Sequence, residues 1–225
     1  MWYCWYVSMR TAGMVVNEKS ARREKSDKRL LQGEATRTAL VTAARRLFGE
    51  EGYAATSTEE IVAAAGVTKG ALYHHFGGKQ ELYRVVLEQV LHEVSDAVVA
   101  IFNQPDPWSD LVDGCTAWID AHQDPAVRRI VLTAARAVLE EDVVRDIEGR
   151  LGVVAVRGAL RKNRTARMLE DDAPLRPLAL MVIGALREAC LYVAQADDPV
   201  AARDEAVAIV SRMLGGFRVH DVVQA

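Results

Sequence analysis

Apolar residues recur at spacings of three and four along most of the chain, and no run with a strand's period of two is bounded by turn residues. The pattern predicts an all-α protein of about nine helices, without a sheet. It is sharpest between residues 57 and 76. Ser57 and Glu60 have the spacing of a capping box, so a helix starts there. Ile61 and Ala65 lie one turn apart on one face, and Gly66 follows where a helix ends in the left-handed conformation that glycine tolerates. Thr68 is placed to cap a second helix. Its Leu72 and Phe76 face inward, leaving Lys69, Gly70, Tyr73 and His74 outside. Two short helices joined by a tight turn form a helix-turn-helix, and the outward face suits a DNA major groove.

From about Thr36 to Glu51, Leu40, Ala44, Leu47 and Phe48 mark a helix that would brace this unit. After Gly77-Gly78, Lys79 opens a long helix through about Phe102, with Leu82, Val86, Val90, Val94 and Val98 spaced by four. Beyond it, helix boundaries fall at Pro105-Asp106-Pro107, Asp124-Pro125, Asp171-Asp172-Ala173-Pro174 and Asp197-Asp198-Pro199, because proline suits a first turn and acids favour a helix's positive end. These delimit helices near 108–122, 125–139, 141–169, 174–196 and 199–217, the third interrupted near Gly149–Gly152. The chain thus divides into a polar arm (1–33), a helix-turn-helix domain (34–80) and a larger helical domain (81–225). In the last, Leu178, Val182 and Leu186 form one stripe, with Gly184, Ala185 and Ala189 allowing close approach, and Val207, Val210 and Leu214 form another. Two such helices exceed what one small subunit need bury, so they are expected to make a dimer through a four-helix bundle.

Composition changes this picture little, and charge changes it more. Half of the 225 residues are hydrophobic, enough for a real core, and the net charge is -3. Residues 1–33 carry seven Lys/Arg against three Asp/Glu, residues 34–79 five of each, and residues 80–225 sixteen against twenty-three. Only the arm is basic. Residues 15–33 have too little apolar surface to fold alone and are expected to be a mobile tail, either a solvated leader or an arm reaching into a minor groove. With balanced charge in the helix-turn-helix, affinity for DNA must come from a few placed groups and helix N-termini. Cys4, Cys115 and Cys190 lack Cys-x-x-Cys spacing and support neither a disulfide framework nor a thiolate zinc site, which fits a reducing, cytoplasmic setting. Cys115 and Cys190 read as buried small hydrophobes. The opening Met1–Val7 is too short for a signal core, Met9 and Met14 are equally good starts, and no run approaches membrane-spanning length.

The order Ala65-Gly66-Val67, Gly70-x-Leu72-Tyr73-x-His75-Phe76, Lys79-x-x-Leu82 resembles the DNA-binding domain of the TetR family of bacterial repressors over about residues 34–83. Val62 departs from it, where the family usually has a small alanine. The resemblance implies a homodimer whose three-helix heads bind a palindromic DNA operator, and whose C-terminal domains bind a small molecule and then let the operator go. By motif position, Thr58 and Thr68 would bond phosphates, Tyr73 would place its hydroxyl on one, and Lys79 would reach the backbone. Lys69, Gly70, Ala71 and His74 would face base edges, Lys69 toward a guanine and Ala71 toward a thymine methyl, with Gly70 permitting close approach.

The ligand is not legible, but its surroundings can be proposed. Helices over about 108–169 would surround a mostly apolar cavity, with Trp108, Cys115, Trp118, His122, Met181 and Tyr192 as candidate lining and His92, His122, Arg136 and Arg187 as possible polar anchors. Large apolar residues at helical spacing are equally at home in a plain core. No cofactor is expected and no metal: His74 and His75 are adjacent on a helix, point about 100° apart and cannot share an ion as an i, i+4 pair does. His75 is as well suited to packing under the head as to DNA. An enzyme would need a nucleophile with a base, paired carboxylates or ligand-spaced residues, and none is found. A constitutive regulator without ligand and a helical protein-interaction adaptor are the alternatives.

Overall fold

The computed structural model describes residues 2–101 and 105–219, with side chains in those ranges except residues 2–23 and 26. Phe102, Met1 and the side chain of Cys4 lie outside the described residues. Among those described there is no strand; an isolated antiparallel bridge pairs Leu169 with Arg218. The helices are α1 (Trp2–Glu50), α2 (Thr58–Ala65), α3 (Lys69–Phe76), α4 (Lys79–Val99), α5 (Pro107–Ala121), α6 (125–138), α7 (141–165), α8 (Leu175–Gln195) and α9 (Pro199–Gly215). α6 and α7 each contain a π-helical turn, Arg129–Ala134 and Gly149–Val153. The second lies where the glycines suggested an interruption; the first has no glycine to announce it.

The acid–proline rule holds at three starts. Asp106, Asp124 and Asp198 each accept hydrogen bonds from backbone N–H groups of the turn that follows, with proline in that first turn. It fails at the fourth, where Pro174 itself is the N-cap and Asp171 and Asp172 sit too far upstream to cap α8. The leader also differs from expectation: α1 is one helix from Trp2, where a mobile tail was expected before residue 34. The segment holds no proline and carries seven Lys/Arg, which are good helix formers, so local propensity allows helix. Packing begins only at Leu40, while Leu30 and Leu31 are exposed.

Two apolar clusters organise the rest. The first joins α1, α2, α3 and the first half of α4 to α6 and the start of α7, from Leu40 and Phe48 through Ile61, Leu72 and Tyr83 to Ile130 and Ile147. The second is built by α5, α7, α8 and α9. Trp118 and Leu132 pack against both. α8 is also long and apolar enough to cross a membrane by length and composition, with a mean hydropathy of 1.6, which corrects the expectation that no run approaches that length. Its inner face fills the second cluster, and its outer face carries the exposed apolar side chains Leu180, Met181 and Tyr192.

The N-terminal three-helix head is clamped to the larger domain through α6. The last carbonyls of α1 have no partner within the helix. Arg129 of α6 donates to the carbonyls of Gly49 and, at 2.6 Å, Glu50. The buried Tyr83 hydroxyl donates to the Ile130 carbonyl at 2.5 Å, and the Gln80 amide to that of Val138 at 2.7 Å. At Gly49 the helices approach so closely that an added Cβ would lie 2.7 Å from the Ala126 Cβ, an atom fixed to the α6 backbone. Gly49→Ala should therefore force α1 and α6 apart and destabilise the fold by about 1–3 kcal/mol, read by chemical denaturation.

Candidate functional site

The head presents its two short helices as the sequence pattern required. Ser57 accepts from the Glu60 N–H at 3.2 Å while Glu60 accepts from the Ser57 N–H at 2.7 Å, so the capping box is closed on both sides. Gly66 ends α2 with φ 67°, a left-handed conformation that an L side chain would strain, and the chain turns there into α3. Thr68 is the N-cap of α3 and accepts from the Ala71 N–H. Ile61, Leu72 and Phe76 are buried. What remains outside on α3 is Lys69, Gly70, Tyr73 and His74, with Ala71 half-buried.

These groups differ in how free they are. The Tyr73 hydroxyl makes no hydrogen bond among the described residues and stands in solvent. Gly70 is exposed, and an added Cβ would make only an ordinary contact with Thr68, so nothing inside the protein demands glycine there. Lys69 is held: its ammonium pairs with Glu59 at 2.5 Å, and Thr58 donates to the other oxygen of the same carboxylate at 2.9 Å. The Lys69 and Thr58 hydrogen bonds bring the Glu59 carboxyl down to about 2, and Glu59 in turn raises Lys69. Glu59 was missed by sequence reasoning, since a pairing ten residues apart across a turn has no local signature. Both partners are exposed, so the pair contributes little stability and can be exchanged for an acceptor on DNA. Lys79 lies with its ammonium 4.1 Å over the Tyr53 ring, where desolvation lowers its pKa. His75 is half-buried, its ring close to Gly33 of α1 and to Phe76, and so packs under the head.

In the larger domain, Cys115 and Trp118 line a narrow apolar pocket whose other walls include Leu111, Val156, Ile183 and Leu186. A second narrow pocket lies across Trp118, Gly152 and Ile183 and is bounded by Leu132, Glu148 and Arg187. Both π turns contribute to it, consistent with the way such turns gather at functional sites. His122 is fully buried beside Trp118, ring centroids 4.8 Å apart, with Nδ1 donating to the Trp118 carbonyl at 2.8 Å. Burial holds its pKa down, so the ring is neutral, and its Nε2 has no partner. Burial pushes the Cys115 and Cys190 thiols up to about 12, as expected of small buried hydrophobes. Trp108 is buried beneath the Arg218 guanidinium, Arg136 is bound to Glu148, and His92 is exposed.

Two sets of expected residues need correction. Met181 and Tyr192 are 68% and 52% exposed on the outer face of α8, so they do not line the interior pockets. Leu178, Val182 and Leu214 are buried inside the subunit in the second cluster, and Val207 packs against it, so these belong to the core and not to an interface. Both faces of α8 carry apolar residues at helical spacing, and periodicity alone does not say which faces inward. Ala185 and Ala189, by contrast, lie with Tyr192, Ile209 and Met213 along an open groove between α8 and α9, floored by Val210.

Comparison with known proteins bears on this geometry directly. Residues 40–86 match the family described as bacterial regulatory proteins, tetR family, and residues 108–217 match the tetracyclin repressor-like C-terminal domain. A crystal structure of a TetR-family transcriptional regulator from Pectobacterium atrosepticum is 32% identical, superposes with a TM-score of 0.72, and is covered over 97% of its length by 84% of this chain. The chain belongs to the TetR family of transcriptional regulators. The family consists of regulators and not of enzymes. Among curated relatives, this regulator is 40% identical over 77 residues to the transposon Tn10 TetC protein of Escherichia coli, and 37% identical over 84 residues to the transcriptional regulator TtgR of Pseudomonas putida. Those matches take in 34% and 37% of the regulator and about two fifths (39%) of each relative.

Two outcomes follow from the side chains described. Glu59→Gln frees Lys69 and removes a negative charge from the face of the head; DNA should bind several-fold more tightly at low salt on every sequence, with the gain fading as salt rises in a titration. His122 sets a pH dependence. Its pKa is lowered in the folded state, so below the ordinary value of 6.5 the unfolded chain takes up a proton that the folded one refuses. Stability is therefore lost as pH falls below that value, by at most about 1.4 kcal/mol per pH unit from this group. Denaturation between pH 7.5 and 5.5 should show a shallower fall for His122→Gln than for the parent.

Proposed function

We propose that this regulator binds a palindromic operator as a homodimer and leaves it when a small, mostly apolar ligand enters the pockets around Trp118. The observation that carries the reading is the outward face of α3. Lys69, Gly70, Tyr73 and His74 stand together on a helix whose inner face is fixed by Leu72 and Phe76, with the capped N-termini of α2 and α3 beside them. The arrangement divides labour as a DNA reader requires. Thr58, Thr68, the free Tyr73 hydroxyl and Lys79 are suited to phosphates, and Lys69, Ala71 and His74 to base edges.

Dimerisation is supported by the groove between α8 and α9. Small Gly184, Ala185 and Ala189 permit close helix approach, and Leu180, Met181, Ile209 and Met213 are large, apolar and exposed on the same two helices. A dimer formed there sets two α3 helices on one face of a duplex, about 34–36 Å apart or somewhat more. Ligand release follows if the ligand favours the arrangement of the domains that does not fit DNA. Repression is the expected consequence in the cytoplasm, and activation stays open.

Tyr73→Phe removes a hydroxyl that bonds nothing in the protein, so the fold should keep its melting temperature while binding weakens about 2- to 12-fold on all sequences. Lys69→Ala should instead relax preference at particular base pairs. Unchanged binding by both variants on every sequence tested would remove α3 as the reading helix. Ala185→Arg places a charge in the apolar groove; light scattering should show monomers, with operator binding lost, and an unaltered dimer would move the interface elsewhere.

A further inference from the structure

The two pockets around Trp118 differ in chemistry. The larger is walled by aliphatic side chains with Trp118, Cys115 and Ser95. The smaller contains a guanidinium with little to do: Arg187 makes one ion pair, at 3.3 Å with its exposed neighbour Glu188, and no hydrogen bond among the described residues, although its side chain is only 29% exposed. The same pocket is lined by Trp118, whose buried Nε1–H has no acceptor. A buried donor without an acceptor is costly, and native proteins seldom leave one idle without a functional reason. Two donor side chains therefore line one pocket, an indole without an acceptor and a guanidinium held only by an exposed neighbouring carboxylate.

We propose that the effector is an amphipathic monocarboxylic acid, its carboxylate taken by Arg187 and the Trp118 Nε1–H and its apolar body filling the pocket between α5, α7 and α8. The proposal rests on the reading of the chain as a ligand-responsive regulator and names the class of ligand for that same site. The planar guanidinium fork matches the two oxygens of a carboxylate. A dianion such as a phosphate monoester is disfavoured because Glu148 lines the same pocket and Glu188 already pairs with Arg187. Glu148 is satisfied by Arg136, which donates to its two oxygens at 3.1 and 3.0 Å, so it does not compete for Arg187. The wall between the two pockets is thin. It consists of Trp118, Gly152 and Ile183, and a Cβ on Gly152 would already come within 3.1 Å of the Ile183 Cδ1, so one ligand spans both pockets only when the Ile183 side chain turns aside.

Isothermal titration of the full chain with decanoate and 4-phenylbutanoate, against decanol and 4-phenylbutanol, tests this. The acids should bind more tightly than the matched alcohols. Arg187→Met should weaken the acids about 10- to 100-fold and leave the alcohols nearly unchanged, and Trp118→Phe should weaken the acids several-fold. Arg187→Lys, which keeps the charge and loses the fork, should fall between parent and Arg187→Met, and serves if the methionine variant fails to fold. Alcohols binding as tightly as acids, acids indifferent to Arg187, or no binding by either class would overturn the proposal. Release of DNA selected from randomised duplexes is followed in parallel. Release by alcohols and not by acids would overturn the carboxylate and keep the sensor, whereas acid binding through Arg187 without release would keep this site and overturn the sensor.

Discussion

The contact on which the arrangement of this molecule depends is the hold of Arg129 on the end of α1. A helix C-terminus exposes carbonyls that need donors, and here a guanidinium about eighty residues away in sequence supplies them to Gly49 and Glu50. The geometry exists because Gly49 lets α6 come against α1. Around it the rings of Phe48, Tyr53 and Tyr83 meet at 5.1 to 5.5 Å, and the Tyr83 hydroxyl closes on the Ile130 carbonyl. The head is thus packed as part of the first apolar cluster, on α6. The π turn that supplies Arg129 and Ile130 to the head supplies Val131 and Leu132 to the second pocket, so one short stretch borders both sites.

That economy gives the proposed function a physical basis. A ligand does not need a long chain of contacts to be felt at α1 and α4; it needs only to favour a different setting of one turn. Trp118 and Leu132 pack against both apolar clusters, and Trp118 is also the wall shared by the two pockets. On the DNA side the same restraint applies. The face of α3 has few charges, and its one lysine is paired with Glu59 until another acceptor replaces that carboxylate.

What was legible in the sequence was local. The capping box at Ser57, the left-handed Gly66, the cap at Thr68 and the inward Leu72 and Phe76 follow from residues within four positions of one another, and the acid–proline starts at Asp106, Asp124 and Asp198 are of the same kind. What was not legible depended on residues far apart or on a choice between equivalent faces. The Lys69–Glu59 pair crosses a turn, and the Arg129 clamp joins the first helix to the sixth. On α8, Leu178 and Val182 fill the core while Met181 and Tyr192 face out, and the reverse fits the spacing just as well. The leader misled for another reason: low apolar content argues against packing, but a proline-free run with several Lys and Arg can be helical without it.

The account stands most directly on what DNA the chain selects. Purified full-length protein, incubated with randomised duplexes and cycled through capture and amplification, should enrich an inverted repeat. Its half-sites should be centred about one helical turn apart or somewhat more, bound by two chains per duplex. Failure to enrich any sequence, or enrichment of a single unrepeated motif bound by one chain, would contradict it.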